Sequence, residues 1–179
     1  MAPRTIETDC CIAGGGPAGI MLGYLLARAG IRVTVLEMWP DFFRDFRGDT
    51  IHPSTMNILR ELGLLDEFLK LPHSEMAKMT FRAGERSVTI ADFERLDVET
   101  KYIAFIPQWD FLNFLATKAK EFPTFELRMA TKAADLVTEG GRVVSVRAED
   151  ADGALEIRAR LVIGADGRHS IVREKGGFE

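Results

Sequence analysis

The sequence predicts an α/β protein in which a parallel sheet, opened by one βαβ unit, is continued by a β-meander and carries the start of a second, antiparallel sheet. Three observations predict it. The stretch CIAGGGPAGIMLGYLLARAGIRVTVLE, residues 11–37, places four glycines within six positions between two apolar runs. The turn pairs Gly140-Gly141 and Asp152-Gly153 separate short extended runs, as in a meander. Between residues 78 and 93 two extended runs flank AGER, which reads as an antiparallel hairpin where an ordinary doubly wound fold would add another parallel βα repeat.

Each element follows from local pattern. Residues 5–13 read as a buried strand, 17–29 as a helix closed by Gly30, and 31–36 as a second strand. Together they make a βαβ module of about thirty residues. WPDFFRDFRGDTIHPS is too polar and aromatic for regular structure, and it leads into short helices over 53–62 and 64–71, separated by Gly63. After the hairpin and residues 103–107, Trp109, Leu112, Leu115 and Ala116 share one face of an amphipathic helix over 108–122. Extended runs follow at 125–130, 132–138, 142–148 and 155–160. Residues 161–163 are wholly apolar and predict a strand buried on both faces, after which GADGRHSIVREK opens the last helix. The chain shows no repeat or flexible linker, so 1–179 read as one domain with 74–106 as a hairpin and strand insertion.

Composition narrows the function. A chain of 179 residues buries roughly 70% of its unfolded surface, enough for a real core. Hydrophobic residues are 46% and charged residues 28%, as in ordinary globular proteins. The net charge of −4 and the scattered basic residues give nucleic acid or an anionic membrane little to attract. Cys10 and Cys11 are strand neighbours facing opposite ways, which makes a disulfide or metal pair implausible and reads as core thiols. Residues 10–27 carry no charge, but glycines and Pro17 break the run and Glu7 and Asp9 precede it, so neither a membrane span nor an export signal is expected and the reading is cytoplasmic.

Gly14, Gly16 and Gly19 supply a G-x-G-x-x-G spacing after a strand and at the mouth of a helix, the Rossmann-like arrangement. The first glycine permits the turn, the second lets backbone approach a pyrophosphate, and the third allows close strand-to-helix packing. Phosphate then sits on unpaired amides at the positive end of the helix dipole. Glu37 ends the next strand, where a carboxylate accepts hydrogen bonds from ribose hydroxyls and repels a 2′-phosphate. These residues point to a dinucleotide of the FAD or NAD type and do not choose between the two.

GGGPAG, Glu37, the RDFRG segment, HPSTMNILRELGLLD, IPQWDFL and LVIGADGRHSIVRE together resemble the FAD-dependent aromatic hydroxylases, the single-component flavoprotein monooxygenases related to p-hydroxybenzoate hydroxylase. The resemblance covers essentially the whole chain. It implies that Gly14, Gly16 and Gly19, with Pro17 and Ala18 between them, hold the pyrophosphate of FAD and that Glu37 holds the adenosine ribose. Arg47, or alternatively Arg44, matches an arginine that neutralises phosphate, Gln108 a polar residue reaching the ribityl and phosphate region, and Ala133 a stretch whose backbone meets adenine. Asp166 and Gly167 match a pair near the pyrophosphate that also serves NAD(P)H use. Met38 stands where many relatives place arginine after the ribose-binding acid.

By the same resemblance, NADH or NADPH reduces FAD and one oxygen atom is transferred to an aromatic small molecule. The resemblance also implies that halogenases and saccharide- or lipid-type flavin reductases share the binding end and differ beyond it. Relatives carry a later Gly-Asp motif, whereas Gly48-Asp49, the one such pair here, stands too early. The chain therefore reads as a truncated FAD-binding portion with the beginning of the substrate-side antiparallel sheet, able to hold FAD or its ADP half without full turnover. The alternatives are an NAD-binding dehydrogenase and a non-catalytic dinucleotide module. A shortened sheet with open apolar surface also predicts a homodimer.

The remaining candidates are weaker. His52 precedes Pro53 and reads either as a loop residue or as a flavin-side contact, and His73 as incidental. His169 and Arg173 match basic residues that in relatives assist nicotinamide binding, although Arg173 also suits a solvated helix face. Phe42, Phe43 and Phe46 read either as cofactor contacts or, the commoner fate of such aromatics, as core against the sheet. No nucleophile-base pair and no metal spacing is recognisable, and no catalytic residue is assigned.

Overall fold

The computed structural model describes residues 4–43 and 48–178. The chain begins with β1 (Arg4–Ala13), α1 (Pro17–Arg28), β2 (Val33–Leu36) and the two-residue β3 (Thr50–Ile51). Next come α2 (Pro53–Glu61), α3 (Leu65–Phe68), β4 (Ser74–Met76), β5 (Lys78–Ala83), β6 (Arg86–Asp92) and β7 (Ile103–Phe105). It ends with α4 (Gln108–Ala119), β8 (Phe125–Arg128), β9 (Lys132–Glu139), β10 (Arg142–Asp150), β11 (Gly153–Gly164) and α5 (Ile171–Lys175).

Two compact units are present: Met1–Phe42 with Leu112–Glu179, and Phe43–Phe111. The first holds a six-stranded sheet in the order β8-β2-β1-β11-β10-β9. β8, β2, β1 and β11 run parallel, and β10 and β9 continue antiparallel as the meander. The fold is thus the mixed α/β arrangement that the glycine crossover and the turn pairs predict.

Packing in this unit follows from side-chain alternation. All four residues of β2 are buried. α1 starts with Pro17 in its first turn, where a missing amide hydrogen is harmless, and buries Ile20, Tyr24 and Ala27. Gly23 lets it lie close to the sheet, since a Cβ there would stand 2.8 Å from both Phe125 and Val35. A second cluster joins Cys11 and Leu36 to Val146, Ala148, Leu155, Ile157 and Ala159 of the meander. Each fully buried valine, leucine or isoleucine of this cluster stabilises by about 1.5–3 kcal/mol. Cys10 and Cys11 are free and buried, and burial pushes the Cys11 thiol up to about 12, so it remains a neutral core group.

One expectation fails here. Residues 161–163 were expected to be covered on both faces, yet Leu161 is 54% exposed. They are the end of the twelve-residue β11, and β10 is paired with it only as far as Arg158, while β1 follows it to Gly164. An apolar run long enough for a strand does not by itself bring a layer to each face.

In the second unit, Met56 and Leu59 of α2 and Leu65 and Phe68 of α3 are buried, and Phe68 meets Phe111 edge to face at 5.8 Å. The helix expected over 64–71 is only the single turn of α3. β3 and β4 flank β7 and escape sequence pattern because they are two and three residues long. The expected hairpin is β5-β6, closed by a two-residue turn in which Gly84 takes φ +61°. Phe42 of the first unit is buried, whereas Phe43, expected in the core, is 67% exposed and lies 5.0 Å from the Trp109 ring. Phe46 lies outside the described residues.

Candidate functional site

The crossover from β1 to α1 is held by main chain on both sides. The Gly14 amide donates to the Leu36 carbonyl at 2.8 Å, and the Ala165 amide donates to the Ala13 carbonyl at 2.7 Å. Gly14 adopts φ +105°, and a Cβ there would stand 2.4 Å from the Ala165 oxygen. A Cβ on Gly19 would stand 1.9 Å from the Gly14 oxygen, and one on Gly15 would stand 2.8 Å from Glu37 Cβ. These three glycines are therefore demanded by close approach. Gly16 differs, because nothing lies within 4 Å of its Cβ position. It caps α1 with extended backbone, no side chain fills the cap, and no acid stands in the first turn. Pro17 and Ala18 are exposed beside it. The Ala18 and Gly19 amides lack intrahelical partners by helix geometry, and the space at Gly16 is open, a setting that suits an anion.

Glu37 is buried against this loop. Its Oε2 accepts from the Gly15 amide and its Oε1 from the Trp39 amide, each at 3.0 Å. The carboxylate therefore holds the glycine loop in place, a role that sequence spacing did not reveal; the Gly14-Gly15-Gly16 triplet was the available signal. Main-chain bonds clamp the following residues. The Glu37 amide donates to the Arg128 carbonyl at 2.9 Å, and the Thr131 and Ala130 amides donate to the Glu37 and Trp39 carbonyls at 2.8 Å. Ala130 takes φ +49°, alone among the described non-glycine residues. Ala133 lies beyond this clamp in β9, opposite Ala148. Met38 and Trp39 are half-exposed.

Asp166 meets the same loop from β11, its amide nitrogen 2.7 Å from the Gly14 Cβ position. Its Oδ2 accepts from the amides of Ile171 at 2.7 Å and Val172 at 3.5 Å, which fixes the start of α5. Its Oδ1 is buried and has no partner among the described residues. An unsatisfied buried acceptor costs about 1–3 kcal/mol, so this oxygen calls for a donor beyond the described residues. Gly167 turns at φ +82°. His169 and Arg173 are exposed, and Arg173 Nη2 donates to the Arg168 carbonyl at 2.5 Å.

The structure thus brings Gly14, Gly16, Pro17, Ala18, Gly19, Glu37, Met38, Asp166 and Gly167 to one end of the parallel strands. Arg47 and Arg44 lie outside the described residues. Gln108 belongs to the second unit, where its amide donates to Asp49 Oδ1 at 3.2 Å. His52 caps α2 through extended backbone, with no side-chain bond to the helix. Among the described residues no group of His, Cys, Asp or Glu could hold a metal ion, and no helix is long and apolar enough to cross a membrane. An open glycine-lined helix start with an orphaned carboxylate oxygen nearby fits a phosphate-bearing cofactor that also offers a hydrogen-bond donor.

Comparison with known proteins agrees with that fit. Residues 7–179 match the family described as FAD binding domain. The chain is 34% identical to 6-methylpretetramide 4-monooxygenase of Streptomyces rimosus, over 96% of this chain and 41% of that protein. It is 27% identical to the "Probable NADH-specific resorcinol 4-hydroxylase" of Rhodococcus jostii, over 96% and 33%. The crystal structure of p-nitrophenol 4-monooxygenase from Pseudomonas putida superposes with a TM-score of 0.83 at 29% identity, covering 97% of this chain and 44% of that one. The chain spans less than half the length of these relatives. With the family model matched along nearly its whole length, the chain belongs to the FAD binding domain family and its relatives are FAD-dependent aromatic monooxygenases.

Proposed function

We propose that this chain is the FAD-holding portion of a flavin-dependent aromatic monooxygenase and that, alone, it retains FAD or its ADP half without full turnover. One observation carries the reading: the opening at Gly16, lined by helix-start amides, lies on the loop that the Asp166 main chain meets. In this reading Gly14, Gly16, Pro17, Ala18 and Gly19 hold the pyrophosphate, with amides directed to its charge. Glu37 keeps the loop in shape while its carboxylate also accepts from the adenosine ribose, each oxygen having two lone pairs. Met38 lies on the adenosine side, and Ala133 borders the adenine. Arg47 neutralises phosphate, Gln108 serves the ribityl side, and Asp166 with Gly167 closes the pyrophosphate end.

Bound FAD supplies the redox chemistry in which NADH or NADPH and O2 are consumed, one oxygen atom enters an aromatic ring and the other leaves as water. The name of the Rhodococcus relative supports NADH as reductant. We further assign an aromatic small-molecule substrate, a cytoplasmic location and a homodimer.

The test is retention of flavin absorbance through gel filtration, followed by titration with FAD and NAD. FAD is expected to bind more tightly than NAD, and Gly16→Val to abolish FAD binding while the fold stays intact. Tighter NAD binding, or unchanged FAD affinity in Gly16→Val, overturns the assignment. NADH oxidation unaffected by a panel of phenols is the expected outcome for the chain alone.

A further inference from the structure

We infer that two copies of this chain pair through the outer edge of β6 about a two-fold axis at Thr89, joining their hairpins into one four-stranded antiparallel sheet; this rests on the homodimer assigned above and gives it a surface. The β5-β6 hairpin is a sheet of two strands. Two strands alone are marginal in water, and further strands over an apolar face are what stabilise them. Every residue of β5 and Arg86–Ile90 of β6 are exposed, Met79, Phe81, Val88 and Ile90 among them. β6 has no strand on its outer edge among the described residues, so the amides and carbonyls of that edge lack a ladder partner.

The order of residues along β6 selects the occupant. RSVTIAD runs from a cation at Arg86 to an anion at Asp92. Laid antiparallel on a second copy about Thr89, it sets Arg86 opposite Asp92 at both ends, Val88 opposite Ile90 twice, and Thr89 opposite Thr89. Opposite charges, β-branched pairs and threonine pairs are the cross-strand matches that favour pairing, and two-fold symmetry makes each charge contact twice. The same operation on β5 about Thr80 sets Lys78 opposite Arg82, a repulsive match, so β6 is the edge that pairs. Arg86 forms no ion pair among the described residues. Asp92 accepts from the Glu94 amide through Oδ1 and pairs with Arg95 through Oδ2, which leaves lone pairs for a further guanidinium. Ile90 is the extra residue where the β5-β6 register shifts, and such a bulge increases local twist. Both copies carry it and the two-fold axis relates them, so the paired strands twist alike. The interface is small, the pairing is therefore weak, and in dilute solution the hairpin stays open.

Sedimentation velocity from about 5 to about 500 µM is expected to show a monomer giving way to a dimer as concentration rises. Arg86→Glu and Asp92→Lys, each alone, set like charges opposite one another at both ends and are expected to weaken the dimer at least about tenfold. Mixed in equal amounts, the two variants are expected to associate again, because every charge contact between them joins opposite signs. Ile90→Lys, at an open position that caps no turn, is expected to give a monomer as well, which keeps the test intact where Asp92→Lys disturbs the Glu94 turn. A dimer indifferent to Arg86→Glu and Ile90→Lys, or charge variants that fold yet stay apart when mixed, overturns the β6 edge and leaves the homodimer to another surface. A monomer at every concentration overturns the homodimer and the edge together and leaves the hairpin to a different polypeptide. FAD retention is read separately, by the titration above.

Discussion

β2 and β6 contain nearly the same residues and meet opposite fates. Val33-Thr34-Val35-Leu36 is buried at every position, while in Val88-Thr89-Ile90-Ala91 the valine is 56% and the isoleucine 61% exposed. β2 runs between β1 and β8 with α1 packed against it and Leu36 inside the meander cluster, whereas β6 has β5 as its one strand neighbour among the described residues. Phe81 is paired with Val88 on one face of that hairpin, and Thr80 with Thr89 on the other. β-branched composition selects extended backbone in both places. Cover depends on which distant segments arrive, and that decides how much each strand contributes to stability.

The comparison can be pressed hardest at its glycines. Gly19→Ala drives a methyl into the Gly14 carbonyl and is expected to destabilise by about 3 kcal/mol in urea unfolding, whereas Gly84→Asn at the hairpin turn, with open space around it, stays within about 0.5 kcal/mol. Equal effects would mean that the crossover is as yielding as the turn.

Next in size is truncation of matched side chains. Val35→Ala leaves a cavity in a fully buried strand and is expected to cost about 2 kcal/mol, while Ile90→Ala is expected to shift the unfolding midpoint by less than the error of the measurement. A comparable loss at Ile90 would show that the hairpin face is covered in solution.

Acid sensitivity sharpens the contrast from the buried side. Burial raises the Asp150 pKa, but the Asp152 amide and the guanidinium groups of Arg4 and Arg128 outweigh it and hold the carboxyl below its ordinary 3.8. A folded value below the unfolded one stabilises above pH 3.8, and the contribution disappears as pH falls through the lower folded value. Asp150→Asn is therefore expected to be less stable than the parent chain at pH 7, the two unfolding curves converging below about pH 4. A difference independent of pH would assign the effect to packing rather than to this charge network.

The smallest expected effect concerns Arg32, paired with Asp9 at 3.0 Å on the surface of the first unit. Arg32→Gln is expected to lower stability only slightly at low salt and by less as salt is raised, read from the urea midpoint. A larger, salt-insensitive loss would show that the pair acts through packing rather than charge.

Much of this was legible in the residues themselves. Glycine spacing after an apolar run, a proline at the helix start, an acid at the end of the next strand and Gly-containing turn pairs are local signals, and they determined the βαβ unit, the hairpin, the meander and the family. What the tertiary structure alone decided is where separated segments meet. Gly14 is pressed by Ala165 and Asp166, Glu37 turns its carboxylate to Gly15, residues 130–131 clamp the strand end, and Asp166 keeps a buried oxygen without a donor among the described residues. It also decided that Leu161, Val88 and Ile90 stay exposed despite their composition. The physical reason is range: backbone preference and side-chain alternation act over a few residues, while burial and hydrogen-bond satisfaction depend on neighbours far away in the chain.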